Sequence, residues 1–264
     1  MRRGFTLVEL LVVVGVMAVM MSLVIPAFQN VRGGSDFSSS VYDIAGAFEQ
    51  ARAYAMANNT FVLAGVMEAN ASNSSSTSPQ VAGIGRLAIA VVASRNGTRP
   101  YDVTALSNWT SIYGTGLSTT NGGGLTPVVK LATFRGIHMV DLQDAGSVPP
   151  ATGNMARPSV PVAYNLSNSQ MDSQSGATEF GWPLGVPLTT PPQYTFLRVV
   201  EFDPLGSARI LNVANSDAIP HFIELGLEPC HGTSVPATPS NQNVGQIAAI
   251  QIDGMSSAVR IYRP

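Results

Sequence analysis

An uncharged run from residue 10 to residue 28 is the feature that most limits how this chain of 264 residues can fold. As an α-helix the run would be about 28 Å long, close to the ~30 Å hydrocarbon core of a bilayer. It is apolar on all sides, which is not the pattern of an amphipathic surface helix. Arg2 and Arg3 precede it, and the positive-inside rule keeps such residues in the cytoplasm. The run therefore predicts a membrane-spanning helix with the rest of the chain on the other side.

Glu9 is the residue that simpler interpretations of this run leave unexplained. Those interpretations are a cleaved secretory signal, a plain membrane anchor and a buried core helix. The best signal-cleavage site contains Pro26 and fits poorly, and a core helix rarely combines this length with a basic flank. A carboxylate inside a spanning helix costs about 2.5–3.5 kcal/mol to insert. Glu9 is therefore expected to have a partner.

The residues that lead up to Glu9 resemble the processing motif of type IV prepilins and type II secretion pseudopilins. They read Arg2-Arg3-Gly4-Phe5-Thr6-Leu7-Val8-Glu9. The shared features are a short basic leader, glycine before the cut, phenylalanine after it and an acid five residues past the glycine. The resemblance implies that a prepilin peptidase cleaves between Gly4 and Phe5 and that Phe5 is N-methylated. It also implies that Glu9 pairs with the first amine of a neighbouring subunit, and that Pro26 is the helix-bending proline of many pilins.

A second helical pattern follows the apolar run. Gly33-Gly34 predicts an interruption, after which Ser35 or Asp36 could cap a restart. Apolar residues then recur at helical spacing, at Phe37, Val41, Ile44, Phe48, Ala51 and Ala55. They predict an amphipathic helix over 35–59 that packs against a sheet, with Asn58-Asn59 as its end.

Two segments are similar to the H-type minor pseudopilins, the GspH/FimT group. Residues 51–64 contain an Ala-Arg-x-x-Ala helix end, a short polar turn and a strand. Residues 200–208 contain a strand, a Pro-x-Gly turn at Pro204 and Gly206, and a second strand. This resemblance implies a minor subunit of the H type.

The rest of the chain is β-rich, and its runs alternate with polar loops. The predicted strands are 60–67, 86–94, 128–142, 194–201, 208–213, 221–227, 246–252 and 258–262. Asp253-Gly254 predicts a hairpin turn before a final edge strand. Exposed loops are expected at 69–79, 118–124, 145–161, 183–192 and 233–246. The fold class is thus α+β: a long N-terminal helix, membrane-spanning in its first half, packed on an antiparallel sheet or sandwich. The expected division is a leader at 1–4, a transmembrane and assembly helix at 5–34 and a pilin-like domain at 35–264.

Composition and motifs point away from enzymes and nucleic-acid binders. Only 11 % of residues are charged, the net charge is −2, and Lys130 is the only lysine. Cys230 is the only cysteine, which excludes an intramolecular disulfide and a multi-cysteine metal site. His138 and His221 are interpreted as structural residues, and Cys230-His231 as a pair whose side chains point to opposite faces. The expectation is a protein that is not an enzyme and has no cofactor.

Two weaker ligand hypotheses remain. Calcium could bind through Glu68, Asp141 and Asp144, but no calcium-loop motif supports this, and no metal is expected. The local basic clusters are Arg95 with Arg99 and Arg260 with Arg263, and the second pair is the weak candidate for nucleic acid.

The sequence thus predicts a structural minor pilin or pseudopilin. Its expected partners are prepilin peptidase, other pilin or pseudopilin subunits, the inner-membrane assembly platform and the lipid bilayer, with DNA not expected. The expected location is the bacterial inner membrane, with the C-terminal domain periplasmic or extracellular, and a pilus or pseudopilus after assembly. The alternatives are a membrane-anchored module that binds DNA or a surface ligand, and a major fibre-forming pilin.

Overall fold

The computed structural model describes residues 7–100, 124–142, 155–168, 180–187, 190–211, 218–235 and 247–264. Within residues 22–35 it describes the backbone and not the side chains. The chain divides into two compact units, Met1–Ser39 and Ser40–Pro264. The described residues form one long helix and antiparallel sheets. The predicted α+β class is therefore confirmed.

Helix α1 (Leu7–Asn58) is continuous. The predicted interruption at Gly33-Gly34 is wrong, and the helix needs no restart cap at Ser35 or Asp36. Glycine lowers helix stability by about 1 kcal/mol but keeps its backbone N–H, so the hydrogen-bond ladder can continue through it.

The predicted end of α1 is confirmed. Asn59 follows the last helical residue with φ of 48°, the left-handed conformation that asparagine tolerates well. The Thr60 N–H then donates to the Ala55 carbonyl at 3.1 Å. The Asn58 side chain donates to the Tyr54 carbonyl at 3.0 Å. The helix therefore ends in a Schellman-type cap that leads directly into the first strand.

Twelve strands lie within the described residues. In chain order they are β1 (Val62–Asn70), β2 (Gly85–Ser94), β3 (Leu125–Pro127), β4 (Ala132–Arg135), β5 (Ile137–Met139), β6 (Phe180–Trp182), β7 (Tyr194–Phe196), β8 (Arg198–Phe202), β9 (Ala208–Ile210), β10 (Phe222–Pro229), β11 (Ala248–Asp253) and β12 (Val259–Tyr262). The first sheet has the order β3-β2-β1-β8-β9, with β4 also paired to β2. The second sheet is β12-β11-β10-β5, and the third is the hairpin-like pair β6-β7.

The central strands of the first sheet are largely buried on both faces. All ten residues of β2 are buried, which explains why its sequence is almost continuously apolar. On one face the rings of Phe180 and Phe196 stack 5.0 Å apart, and a Cβ at Gly65 would lie 2.7 Å from both side chains. Phe202 lies in β8 of this sheet and packs against Phe48 of α1, with ring centroids 6.5 Å apart. The helical face over Val41, Ile44, Phe48, Ala51 and Ala55 is buried, as its spacing predicts.

Two predicted strands are each split between different sheets. The run 128–142 divides at Gly136, where the backbone turns with a φ of 72°. β4, before this turn, belongs to the first sheet, and β5, after it, belongs to the second. The run 194–201 divides at Leu197, because β7 pairs with β6 whereas β8 pairs with β1. β3 and β6 have only three residues each and were not predicted. The β8–β9 turn, the β11–β12 hairpin and the edge position of β12 are confirmed.

The loop at 69–79 is largely exposed, as predicted. The buried Arg86 holds it, because its Nη2 donates to the Asn73 carbonyl at 2.6 Å and its Nη1 to Gln80 Oε1 at 3.1 Å. The other predicted loops lie wholly or partly outside the described residues.

Candidate functional site

The first described turns of α1 present an apolar surface on every side of the helix. All of residues 7–21 are exposed, and Leu7 and Val8 have 79 % and 69 % of their surface accessible. The large apolar side chains of this surface are Leu7, Val8, Leu10, Leu11, Val12, Val13, Val14, Val16, Met17, Val19, Met20 and Met21. Apolar patches of this extent are typical of surfaces that meet a membrane or another protein. We call residues 7–21 the apolar helix surface.

Glu9 is the acidic residue in the first turn of α1. A carboxylate there is favoured by the partial positive charge of the helix N-terminus. Its neighbours along the helix are exposed apolar residues, so burial of this surface would also remove Glu9 from water. Taking the Glu9 carboxylate out of water would cost free energy, as the sequence predicts, and an amine from another chain would offset that cost by pairing with it.

The other predicted residues of the N-terminal site are less informative. Gly4 and Phe5 lie outside the described residues. Pro26 lies within α1, which runs through it without a break, and its side chain is outside the described set. The pairing of Glu9 with the Phe5 amine of a neighbouring chain stays a prediction.

One of the two arginines that were weak candidates for nucleic acid lies against an aromatic ring. Arg263 lies 5.4 Å from the centre of the Tyr42 ring, whereas Arg260 is exposed on β12. Arg99 pairs with the buried Glu201 at 3.0 Å and lies 5.3 Å from the centre of the Phe61 ring. The contacts of Arg99 and Arg263 are therefore typical of structural arginines.

Glu68 connects the first and second sheets. It lies on β1, and its carboxylate accepts hydrogen bonds from His138 Nδ1 at 2.9 Å and from the Met139 backbone at 3.2 Å, both on β5. It also accepts the Gly85 backbone N–H of β2 at 2.9 Å. His138 is thus hydrogen-bonded, in agreement with its interpretation as a structural residue.

The groups around Glu68 hold protons more tightly than usual. Burial alone would lower the pKa of His138, but the hydrogen bond and charge of Glu68 and the charge of Glu228 outweigh it and raise that pKa above 6.5. Arg198 opposes this rise. Burial raises the pKa of Glu228 above 4.5, although His138 partly offsets the effect. Burial, with the charges of Glu68 and Glu228, raises the pKa of the Cys230 thiol to about 11. Cys230 is therefore a protonated thiol at neutral pH and a poor nucleophile.

We expect the free energy of unfolding to fall as the pH rises from about 5 to about 8. His138 and Glu228 both have raised pKa values in the folded chain, so the folded state holds more protons than the unfolded state. The contribution of His138 is complete below pH 6.5 and is lost as the pH rises through its folded pKa.

Urea denaturation of the His138→Gln variant at several pH values tests this expectation. Above pH 6.5, the free energy of unfolding of this variant should fall less steeply with pH, by at most about 1.4 kcal/mol per pH unit. His221→Gln is the matched control, because His221 is exposed. An unchanged slope in His138→Gln, or stability that increases with pH over this range, would contradict the linkage.

The predicted calcium ligands belong to separate networks. Glu68 is bonded to β2 and β5, as described above. Asp141 accepts hydrogen bonds from Asn165 at 2.8 Å and Asn168 at 2.5 Å. Asp144 lies outside the described residues. Within the described part of the chain, no group of three acidic, histidine or cysteine residues is arranged to hold a metal ion.

A cavity of about 470 Å³ lies beside β1. β2 pairs with one edge of β1 over its whole length, but the other edge is shared. β8 pairs with the first part of that edge and ends where Val66 lies opposite Arg198. Beyond this point residues 81–83 pair with the same edge, and the Gly83 N–H donates to the Glu68 carbonyl at 3.1 Å. The cavity lies where these two segments diverge. Its wall consists of Val66, Met67, Glu68, Gln80, Ala82, Gly83, Ile84, Met139, Thr195, Leu197 and Arg198.

Sequence reasoning missed both the Glu68 cluster and this cavity. Glu68 and His138 are separated by 70 positions, and only the pairing of strands brings them together. The single local signal was a carboxylate near the end of a predicted strand.

Comparison with known proteins bears on the N-terminal segment. Residues 1–25 match the family model of the prokaryotic N-terminal methylation motif. This motif indicates a type IV pilin-like protein that is processed as a prepilin. It therefore implies processing by a prepilin peptidase and assembly with other pilin subunits, and suggests a membrane-anchored or pilus location. No curated protein and no solved structure matches the chain.

Among the residues that the structure describes, no helix has an apolar stretch long enough to cross a membrane.

Proposed function

We propose that this chain is a structural minor pilin or pseudopilin subunit. It is cleaved between Gly4 and Phe5, methylated at Phe5 and assembled through its N-terminal helix into a pilus or a type II secretion pseudopilus. The observation that carries this proposal is the match of residues 1–25 to the N-terminal methylation motif. The apolar helix surface supports it, because one exposed helix with a single carboxylate suits both a bilayer and a bundle of like helices.

Before assembly, the N-terminal helix would hold the subunit in the bacterial inner membrane as a single-pass anchor. Arg2 and Arg3 would lie in the cytoplasm, and residues 35–264 in the periplasm or outside the cell. The partners would be prepilin peptidase, neighbouring subunits, the inner-membrane assembly platform and lipid. The role is structural rather than enzymatic and requires no cofactor.

The H-type minor subunit is the more specific form of the proposal. The β8–β9 hairpin with its Pro204-x-Gly206 turn, and the direct passage from α1 into β1, agree with the likeness to that group. The abundance of the chain in sheared filaments distinguishes this role from that of a major pilin, which would be the dominant component.

Replacing the glycine of the cleavage site tests the proposal. When the chain is co-expressed with a prepilin peptidase, Gly4→Leu should retain the leader, because a branched side chain would stand at the scissile bond. The unaltered chain should lose residues 1–4 and gain one methyl group. Intact-mass measurement reads both changes directly.

Gly15→Leu is the matched control. It makes the same replacement within the apolar helix surface, where a Cβ would meet no atom within 4 Å. This variant should be processed normally. Efficient cleavage of Gly4→Leu, or an unaltered chain that keeps residues 1–4, would refute the processing step.

A further inference from the structure

The turn that follows β2 contains an Asn-Gly pair whose asparagine side chain is hydrogen-bonded. Asn96 is exposed, and Gly97 follows it with a φ of 74°. Three donors converge on Asn96 Oδ1: Ser94 Oγ at 2.8 Å, the Thr98 backbone N–H at 3.1 Å and Thr98 Oγ1 at 2.8 Å. A backbone N–H can only donate, so its contact identifies the amide atom that it meets as the oxygen. Asn96 Oδ1 is therefore held by one donor from the end of β2 and by two from Thr98.

The two nitrogens of this pair are not held in the same way. Within the described part of the chain, neither Asn96 Nδ2 nor the Gly97 N–H donates a hydrogen bond. Gly97 has no side chain to shield its nitrogen, and the covalent chain places that nitrogen beside the Asn96 side-chain carbon. Two reacting groups joined in one chain have a high effective concentration. The pair therefore combines a nucleophile, a polarised carbonyl and a leaving group that is not hydrogen-bonded.

We propose that Asn96 is a site of self-modification, at which the Gly97 nitrogen attacks the Asn96 side-chain carbon and ammonia is released. A bond forms between Gly97 N and Asn96 Cγ, and the bond between Cγ and Nδ2 breaks. The proton of the Gly97 N–H passes to water or hydroxide, and Nδ2 leaves as ammonia after taking a proton from water. A water molecule then opens the cyclic imide, which leaves aspartate or isoaspartate at position 96 and adds one negative charge.

The three donors meet the charge that develops in this reaction. Attack on the amide places negative charge on Asn96 Oδ1, and Ser94 and Thr98 already donate to that atom. Donors arranged in advance around a developing oxyanion lower the barrier to its formation. The same hydrogen bonds restrain the side chain, which acts in the opposite direction, and we expect stabilisation of the oxyanion to dominate. The site consists of residues 94–98, so it does not depend on how the N-terminus is processed or assembled.

Incubation of the full-length chain at mildly alkaline pH, either folded in detergent or unfolded in urea, tests the proposal. Peptide mass spectrometry with fragmentation measures how fast each asparagine exchanges its amide for a carboxylate. Asn96 should react at least about threefold faster in the folded chain than in urea, because only the fold brings the donors together. Asn121-Gly122 is the other Asn-Gly pair of the sequence and is followed by glycine. In urea its rate should be similar to that of Asn96, which calibrates the reaction of the dipeptide itself.

Thr98→Val tests the donors, because it removes one hydroxyl and keeps the Asn-Gly pair and the backbone N–H. It should slow the reaction of Asn96 about tenfold in the folded chain and leave the rate in urea nearly unchanged. Thr133→Val, the same replacement at an exposed position of β4, should change neither rate. If Thr98→Val prevents folding, the comparison of the unaltered chain with and without urea still decides. A slower reaction of Asn96 in the folded chain than in urea, a faster one in folded Thr98→Val, or no conversion of Asn96 would overturn the proposal.

Discussion

Glu9→Ala should be inserted into the membrane as efficiently as the unaltered chain, but should be recovered in filaments at less than about a tenth of its level. Removal of the carboxylate makes the helix more apolar, so insertion becomes easier by about 2.5–3.5 kcal/mol. Assembly should suffer because the first amine of a neighbouring subunit would lose its partner while it is buried among apolar helices. Loss of one member of a buried pair costs about 3–5 kcal/mol, which is more than a tenfold change in association.

The measurement is a quantitative immunoblot of sheared filaments and of the membrane fraction from the same cells. Asp43→Ala is the matched control, because Asp43 is an exposed acid on the same helix and lies beyond the apolar helix surface. Glu9→Gln separates charge from size and should resemble Glu9→Ala. Wild-type recovery of Glu9→Ala in filaments would show that the carboxylate does not fix the register of assembly. Since processing at Gly4 is measured separately, failure of one step can be distinguished from failure of the other.

Features fixed by neighbouring residues could be predicted from the sequence. The end of α1 at Asn58 depends on the left-handed conformation of Asn59, and the β11–β12 turn depends on Asp253, whose carboxylate accepts the Met255 and Ser256 N–H groups. Burial alone would raise the pKa of Asp253, but these hydrogen bonds outweigh it and lower that pKa. Such features involve contacts over a few positions, where residue preferences act directly.

Features fixed by distant pairing could not be predicted. An alternating or apolar run shows which residues are buried, but not which strand lies beside them. The sequence therefore did not show that the run 128–142 divides at Gly136 or that β7 and β8 separate at Leu197. Nor did it show the cavity between β8 and residues 81–83. The contact between Glu68 and His138 could not be predicted for the same reason. The error at Gly33-Gly34 was of another kind, because glycine weakens a helix without removing a hydrogen-bond donor.

The N-terminal motif was the part of the site most accessible to sequence reasoning. Its residues are contiguous, and the match at 1–25 rests on them alone. The expectation that Glu9 has a partner followed from the cost of its charge in an apolar helix, and that argument needs no tertiary structure. Its pairing with the first amine of a neighbouring subunit is what the family resemblance implies. By contrast, Arg263 was a weak candidate for phosphate binding until its contact with the Tyr42 ring was visible.

Arg157→Met should destabilise the globular unit by about 3–5 kcal/mol. Arg157 Nε and Nη2 donate to the two carboxylate oxygens of Glu224 at 2.6 Å and 3.1 Å, and the side chains are 3 % and 1 % exposed. Gln251 Nε2 donates to the same carboxylate at 2.8 Å. Without Arg157, the Gln251 amide would be the remaining side-chain donor to this buried charge on β10 in the described part of the chain, and residues 155–168 would lose an anchor to the second sheet.

The double variant Arg157→Met/Glu224→Met should recover most of that loss, because it removes both charges and keeps the volume apolar. Equilibrium urea denaturation of both single variants and the double variant gives the coupling energy, which we expect to exceed about 1 kcal/mol. Arg52→Met is the matched control. Arg52 pairs with Glu49 at 3.5 Å, and the two side chains are 30 % and 46 % exposed, so loss of this pair should cost less than about 1 kcal/mol. Should Arg157→Met fail to fold, folding of the double variant still identifies the unpaired charge as the cause. Equal costs for Arg157→Met and Arg52→Met would mean that burial does not strengthen the Arg157 pair.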